Sequence, residues 1–205
     1  MSIIVVRHGE TALNVSRVLQ PVDTPLSQRG QAQARAVALR LAVEPVAALV
    51  SSDLLRARQT ADAIALQTGG LTVTSWMGLR ERDFGDWRGL SYDALPVDPL
   101  RMDEAAPGGE SQAAFAQRCR STWAELVQLR AQLDGALVVV SHGLTIRQLL
   151  QDLPVAAEEG ELAGRLGNTA VTLLDAAAPH TVRLFNCTRH LVPELQEDDA
   201  SLSGG

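Results

Sequence analysis

Two uninterrupted apolar stretches, each followed by a histidine and a glycine, constrain the fold of this chain most. Residues 3–6 lead into Arg7-His8-Gly9, and residues 136–140 lead into Ser141-His142-Gly143. Short, continuously apolar runs are typical of parallel strands that are buried on both faces of a sheet. The carboxyl end of such a strand is where polar side chains first reach a ligand. The pattern therefore predicts an α/β sheet with both histidines at its edge.

The first part of the chain alternates strand and helix patterns. After a loop over 12–25, Ser27 is a helix cap, and strands are predicted at 46–50 and 71–75 with a helix over 54–67 between them. This order favours a three-layer α/β/α fold with a mostly parallel central sheet. On the first helix we expect one apolar stripe, made of Ala32, Ala36, Leu39 and Val43.

Residues 78–110 interrupt this rhythm with many glycines and prolines. An irregular stretch of this length inside a compact domain is usually a lid or a binding loop. A long helix is predicted next, then the strand over 136–141, a helix from about Leu144, and two last strands at 171–175 and 182–186. The long helix should bury one side, formed by Phe115, Cys119, Trp123, Leu126 and Leu133.

The length suits a single domain over 1–193, followed by a flexible tail over 194–205 that is acidic and then rich in Ser and Gly. The net charge of -6 argues against nucleic-acid binding. No apolar run reaches the roughly 18 residues of a membrane span, so we expect no membrane partner. A homodimer remains compatible with the sequence.

All 18 positively charged side chains are arginines, and the chain has no lysine. Walker-type phosphate loops and Schiff-base chemistry both require lysine and are therefore excluded.

The two cysteines, Cys119 and Cys187, have no metal-ligand spacing, are expected to be small apolar fillers, and favour a reduced, cytoplasmic location. His180 and His190 are expected in solvent, and the four histidines show no metal-ligand spacing. We expect neither a metal nor a cofactor.

Four segments place charged or titratable residues at the ends of predicted elements: 7–10, 51–57, 79–82 and 141–143. Their arginines and histidines would form an anion pocket, since guanidinium groups bind phosphate oxygens in bidentate fashion. A neutral imidazole can attack phosphorus, and a carboxyl group can protonate the leaving alkoxide. The pattern therefore indicates phosphoryl transfer through a histidine.

Several of these positions have competitors nearby. Arg56 and Arg58 point apart on a helix, so one of them enters the cleft, and Arg56 is favoured. Glu81 is favoured as the proton donor over Asp83 and Glu10. A solvated charged face is the favoured interpretation of Arg80, Arg82 and Arg88, against recognition of a substrate anion. Trp76 and Trp87 have two equally weighted interpretations: they line a substrate pocket, or they pack the lid.

Four motifs, RHGET (7–11), SSDLLRARQTA (51–61), LRERDFGDWRG (79–89) and VVSHG (139–143), resemble in this order the signatures of the histidine phosphatase superfamily. The resemblance implies the phosphoglycerate mutase-like fold. It also implies His8 as the phosphorylated nucleophile and Glu81 as the general acid/base. The resemblance further implies that the phosphoryl group is bound by Arg7, Arg56, His142, Asn14 and Gly143.

The resemblance further favours a phosphatase of small metabolites. Phosphoglycerate mutases of this family carry a longer, more basic insertion between the acid and the second histidine than this chain has between Glu81 and His142. The segments FGDWRG and PGGES are more similar to small phosphatases, including α-ribazole phosphatase and broad-specificity enzymes. A mutase remains the alternative, and a non-catalytic phosphate-binding module is disfavoured because His8 and Glu81 are both retained.

Overall fold

The computed structural model describes residues 2–152, 155–156 and 165–196. Its strands are β1 (Ser2–Arg7), β2 (Val46–Ser51), β3 (Val73–Ser75), β4 (Ala136–Ser141), β5 (Val155–Ala156), β6 (Val171–Asp175) and β7 (His180–Cys187). Its helices are α1 (Ala12–Val15), α2 (Gln28–Leu41), α3 (Leu55–Gln67), α4 (Gln112–Ala131) and α5 (Gly143–Asp152).

The strands form one mixed sheet in the order β3-β2-β4-β1-β6-β7-β5. The first four strands in this order are parallel to one another, whereas β6 runs antiparallel to both β1 and β7. The predicted three-layer fold with a mostly parallel sheet is confirmed.

The two faces of the sheet bury alternate residues of each central strand. Ile3 and Val5 of β1 pack with α4 and α5, whereas Ile4 and Val6 pack with α2 and α3. Because both faces are covered by helices, every position of such a strand must be apolar. The continuous apolar runs of β1 and β4 follow from this arrangement.

The stripe predicted on α2 is wrong. Leu39 is 63% exposed and Val43, beyond the end of the helix, is 85% exposed. The buried face instead contains Ala34, Val37, Ala38 and Leu41, which pack in the same core cluster as residues of α3. Gly30 lies on the same face, where a Cβ atom would come within 2.0 Å of the carbonyl oxygen of Glu10. Close approach to the loop after β1 therefore requires a glycine at position 30 of the buried face.

Most predicted boundaries are confirmed within a residue or two. The third strand is shorter than predicted and covers Val73–Ser75, and the last strand is longer and covers His180–Cys187. The predicted loop over 12–25 contains the short helix α1, which is capped by the side chain of Thr11. On α4, the expected apolar side is buried against the sheet.

Residues 78–110 contain short 3-10 turns, as predicted for an irregular insertion. We call residues 84–95 the lid. Backbone hydrogen bonds join the lid to the segment after α1: Gly89 N donates to Leu19 O (2.7 Å), Leu19 N to Leu90 O (3.0 Å) and Tyr92 N to Arg17 O (2.9 Å). Leu19, Phe84 and Tyr92 form a small separate core beneath these bonds.

The prediction that His180 lies in solvent is wrong. Its side chain is buried, and its Nε2 accepts a hydrogen bond from Nε1 of Trp123 (3.3 Å). His190 is half-buried and contacts Arg40 and Thr169. Both cysteines are buried, as expected for small apolar fillers, and they do not form a disulfide with each other. Of the predicted tail, residues 197–205 lie outside the described ranges, so the boundary at 193 stays a prediction. No helix in the described part of the chain is long and apolar enough to cross a membrane.

Candidate active site

The ends of three parallel strands bring the predicted residues to one level of the sheet. Arg7 at the end of β1 is paired in register with Ser141 at the end of β4. The next residue on each strand is a histidine, and the rings of His8 and His142 lie 5.1 Å apart between centroids. On the other side of β4, Ser52 N donates to Val140 O (2.9 Å), which places Ser52 beside His142.

The imidazole of His8 is held in one tautomer. Its Nδ1 lies 2.7 Å from the carbonyl oxygen of Gly9, which can only accept a hydrogen bond, so Nδ1 carries the hydrogen. The opposite nitrogen, Nε2, is buried and has no hydrogen-bond partner among the described residues. His8 therefore presents a lone pair in a buried pocket, as a nucleophile requires.

Two buried guanidinium groups lie in the same pocket as the histidines. Arg7 comes from the end of β1, and Arg56 from the first turn of α3, where its Nη1 donates to Pro21 O (3.2 Å). Arg58, two residues further on α3, pairs with Asp62 at the surface. The predicted choice of Arg56 over Arg58 therefore agrees with the burial of the two side chains.

Burial and positive charge keep both imidazoles neutral. Desolvation, followed by the charges of Arg56 and Arg7, lowers the pKa of His8 well below its usual value. Desolvation and Arg56 act on His142 in the same direction. Burial also lowers the pKa of Arg56 to about 10, a change that Glu81 opposes, so this guanidinium stays charged at neutral pH.

The carboxylate of Glu81 is held at the start of α5, directly after His142. Its Oε2 accepts from Leu144 N and its Oε1 from Thr145 N, both at 3.0 Å. The competing carboxylates point elsewhere: Glu10 binds Arg29 and the Ser27 hydroxyl, and Asp83 pairs with Arg88.

Two predicted binding residues have less direct evidence. Asn14 is buried in α1, where its Oδ1 accepts from Thr11 N (3.0 Å) and closes the helix cap. Gly143 is the first residue of α5, so it lies where the helix N-terminus adds positive potential. A contact of either residue with a phosphoryl group stays a prediction.

Sequence reasoning missed a segment that fixes the backbone of the nucleophile. Asn168 Nδ2 and Thr169 N both donate to His8 O, at 2.9 and 3.3 Å. Thr169 has a φ of 55°, which a β-branched residue rarely adopts. The polar run Gly167-Asn168-Thr169 directly before a strand was the available signal.

The prediction of a solvated face for Arg80, Arg82 and Arg88 is wrong for Arg82. That side chain is buried, and it donates to the carbonyl oxygens of Met102 (2.9 Å) and Glu104 (3.1 Å). It therefore fastens the loop after the lid. Arg80 forms a bidentate pair with Asp53, at 2.7 and 2.6 Å.

The two tryptophans take different positions. Trp87 belongs to the lid and packs against its small core, whereas Trp76 packs against the main core under α4. Tyr92 of the lid is also buried, and desolvation together with Glu81 raises its pKa. The lid therefore lies near the proposed acid.

The chemistry of the pocket is that of phosphoryl transfer. It combines an imidazole with a buried lone pair, two buried guanidinium groups, a second neutral imidazole and a carboxylate. Arginine side chains with a neutral imidazole suit a phosphoryl group attacked by nitrogen. Within 2–152, 155–156 and 165–196, no group of three or more His, Cys, Asp or Glu could hold a metal ion. Fold and site together define an α/β enzyme of the phosphohistidine type.

Comparison with known proteins agrees with this class. The family model of the histidine phosphatase superfamily (branch 1) matches residues 3–188, and the chain belongs to that superfamily. It is 38% identical over 190 residues to a glucosyl-3-phosphoglycerate phosphatase of Mycobacterium tuberculosis, an alignment that covers 84% of each chain. It is also 38% identical over 204 residues to phosphoglycerate mutase-like protein 4 of Arabidopsis thaliana, covering 92% of this chain and 86% of the relative.

Among solved structures, the α-ribazole phosphatase of Shigella flexneri superposes with a TM-score of 0.79 at 25% identity. The match covers 92% of this chain and 97% of that one. The chain is thus a phosphatase of this superfamily, which confirms the predicted fold and the predicted class of activity.

Proposed function

We propose that the protein hydrolyses small phosphate monoesters through a phosphohistidine on His8. The observation that carries the assignment is the orientation of this imidazole. Its Nδ1 hydrogen is fixed by Gly9 O, and its Nε2 lone pair is buried beside Arg7, Arg56 and His142. A nucleophile that stays neutral and faces cationic groups is suited to attack an anionic phosphoryl group.

In the first step, Nε2 of His8 forms a bond to phosphorus while the bond to the alcohol oxygen breaks. Negative charge is spread over the three transferring oxygens in the transition state. Arg7 and Arg56 supply the fixed positive charges, an N–H of the neutral His142 ring donates a hydrogen bond, and the N-terminus of α5 at Gly143 adds its dipole. These donors need no rearrangement because the strand ends and the first turn of α3 hold them.

Glu81 serves the leaving group and then the water. As an acid it gives a proton to the departing alkoxide, and as a base it takes a proton from the water that attacks the phosphohistidine. The first turn of α5 orients its carboxyl group through Leu144 N and Thr145 N. Because the charged groups of the site supply the stabilisation, we propose that the reaction needs no metal, and a chelator should leave the rate unchanged.

We infer the substrate class from a neighbouring cavity of about 450 Å³. Its lining includes Leu144, whose N–H donates to Glu81, and polar side chains such as Arg147, Gln148 and Gln112. Such a lining suits a hydrophilic alcohol that carries hydroxyl or carboxylate groups. Phosphorylated glycerate derivatives are therefore the first substrates to test, together with sugar phosphates and α-ribazole phosphate.

The trapping experiment uses a ³²P-labelled phosphate monoester and an alkaline quench. Wild-type protein should retain an acid-labile, alkali-stable label, whereas His8→Ala should retain none and lose turnover with an unchanged circular dichroism spectrum. His180→Gln is the matched control, because this histidine is buried against Trp123 and should leave the labelling intact. A labelled and active His8→Ala protein would refute the mechanism.

Phosphoglycerate mutation is the second candidate activity, because one relative is named a phosphoglycerate mutase-like protein. A mutase returns the phosphoryl group to a second hydroxyl instead of water. With 3-phosphoglycerate we expect release of inorganic phosphate and little 2-phosphoglycerate. The products are measured by ³¹P NMR. Efficient formation of 2-phosphoglycerate would make phosphoglycerate mutation the favoured activity instead of hydrolysis.

A further inference from the structure

We propose that Ser52 sets the tautomer of His142, and that this tautomer is what allows His142 to donate a hydrogen bond to the transferring phosphoryl group. Ser52 is thus a positioning residue for the reaction proposed above, on which the catalytic part of the inference rests. Three observations carry it: the contacts of the Ser52 hydroxyl, the contacts of the His142 ring, and the burial of both.

The Ser52 hydroxyl has one hydrogen to donate and lies between two groups. Leu54 N donates to its oxygen at 3.3 Å, so the oxygen already acts as an acceptor. Nε2 of His142 lies 2.8 Å from the same oxygen. Ser52 is fully buried, and the described residues give its hydroxyl hydrogen no other hydrogen-bonded acceptor. The hydroxyl therefore donates to Nε2, because a buried hydroxyl hydrogen without an acceptor is costly.

This contact decides where the hydrogen of the His142 ring lies. A neutral imidazole has one N–H, and if Nε2 accepts a hydrogen bond, the hydrogen is on Nδ1. Desolvation and Arg56 lower the pKa of His142, which agrees with a neutral ring. Nδ1 is buried and has no partner within the described part of the chain. The N–H of His142 is thus held away from the Ser52 side of the ring.

Both histidines of the pocket are consequently held in the Nδ1–H tautomer, but the nitrogens left without a partner among the described residues differ: Nε2 in His8 and Nδ1 in His142. Gly9 O accepts from His8 and leaves Nε2 with a lone pair for attack. Ser52 donates to His142 and leaves Nδ1 with a hydrogen for the phosphoryl oxygens. If the tautomer of His142 were reversed, a lone pair would face an anion, which is repulsive. A single hydroxyl thereby determines whether the second histidine stabilises or opposes the transition state.

The direct test is the ¹⁵N NMR spectrum of the histidine rings in labelled protein, without substrate. In the wild type, His142 should have its hydrogen on Nδ1 and a non-protonated Nε2. In Ser52→Ala the ring should lose this preference and populate the Nε2–H form. Ser51→Ala is the matched control: Ser51 is equally buried, but its hydroxyl donates to the carbonyl oxygen of Ser52 (2.8 Å), so the His142 signals should keep the wild-type tautomer.

The kinetic readout separates positioning from general damage. Loss of an outer-shell residue that orients a metal-bound histidine typically costs about 10- to 100-fold in activity, and we take this range as the scale for a residue that orients His142. We expect this loss in kcat of Ser52→Ala with KM changed about threefold or less, because the affected hydrogen bond strengthens in the transition state. Ser51→Ala should retain kcat within about twofold. Ser52→Thr keeps the hydroxyl and should recover both the tautomer and the rate; if its extra methyl group destabilises the fold, the two alanine variants still decide.

Wild-type His142 with its hydrogen on Nε2, or an unchanged tautomer in Ser52→Ala, would overturn the inference. An altered tautomer with unchanged kcat would overturn its catalytic part. Failure of the proposed function looks different, since it would be a wild-type protein without phosphohistidine, whereas the NMR comparison judges Ser52 in the absence of any substrate.

Discussion

Acidification should destabilise this protein through the two histidines of its active site. Both rings are fully buried, and desolvation together with Arg56 lowers the pKa of each in the folded state. A group with a lowered folded-state pKa binds more protons when the chain is unfolded. The contribution of the two neutral rings to the free energy of unfolding is therefore fully present above the unfolded-state pKa of about 6.5, and it decreases as the pH falls below that value.

The magnitude follows from the unfolded chain, since the folded rings stay neutral. Between pH 7.5 and pH 5.5, protonation of the two unfolded histidines, His8 and His142, costs roughly 2–3 kcal/mol of folding free energy. This is a large share of a typical stability of about 5–15 kcal/mol. For a domain of this size it corresponds to a fall in Tm of about 5–11 °C. His190 acts in the same direction with a smaller effect, because burial and then Arg40 lower its pKa to about 4 while it remains partly exposed.

The assay is urea unfolding at pH 7.5 and pH 5.5 in phosphate-free buffer, since a bound anion would change the linkage. His8→Gln and His142→Gln should each lose about half of the pH dependence, and the double variant most of it. His190→Gln should lose less than either. The reasoning is refuted if the wild type is equally stable at both pH values, or if the double variant keeps the full wild-type difference.

Three further predictions concern single positions. Glu81→Gln should slow hydrolysis of alkyl phosphates far more than that of p-nitrophenyl phosphate, whose leaving group needs no proton; equal losses in steady-state kinetics would assign the acid elsewhere. Arg56→Ala should lower kcat by about 10²–10³-fold, because it removes a buried charge from the transferring oxygens, whereas Arg58→Ala, which loses a surface pair with Asp62, should stay near the wild-type rate. Gly30→Ala should cost about 1–3 kcal/mol in urea unfolding, because its methyl group would lie 2.0 Å from Glu10 O; wild-type stability would show that the loop can move freely.

The central sheet and the position of the site could be predicted because they depend on local patterns. Ile3–Val6 and Ala136–Val140 are apolar at every position, which buried parallel strands require. Parallel register then places the residues after Arg7 and Ser141 side by side. The sequence alone therefore predicted that both histidines lie at the edge of the sheet. It also predicted that Arg56 and Glu81 lie near them, because these residues stand at the ends of neighbouring elements.

The parts that could not be predicted depend on contacts between distant segments. Arg82 is buried because it binds carbonyl oxygens, and every residue carries a carbonyl oxygen, so no side-chain pattern identifies its partners. On α2, the loop of Glu10 lies so close to Gly30 that no side chain fits there, and a contact between these distant segments cannot be derived from the apolar spacing of the helix. His180 is buried because Trp123 of α4 donates to it across the core, a pairing of residues 57 positions apart.

The way in which the lid is attached has a consequence for how such an enzyme diversifies. Gly89, Leu90 and Tyr92 are joined to Leu19 and Arg17 by main-chain groups. Main-chain bonds persist when side chains are exchanged, so side chains of the lid can be replaced while its backbone stays joined to residues 17–19. The strand ends that carry out the phosphoryl chemistry are then undisturbed. Descendants of this chain could therefore acquire a different lid surface through a few replacements, with the catalytic apparatus inherited unaltered.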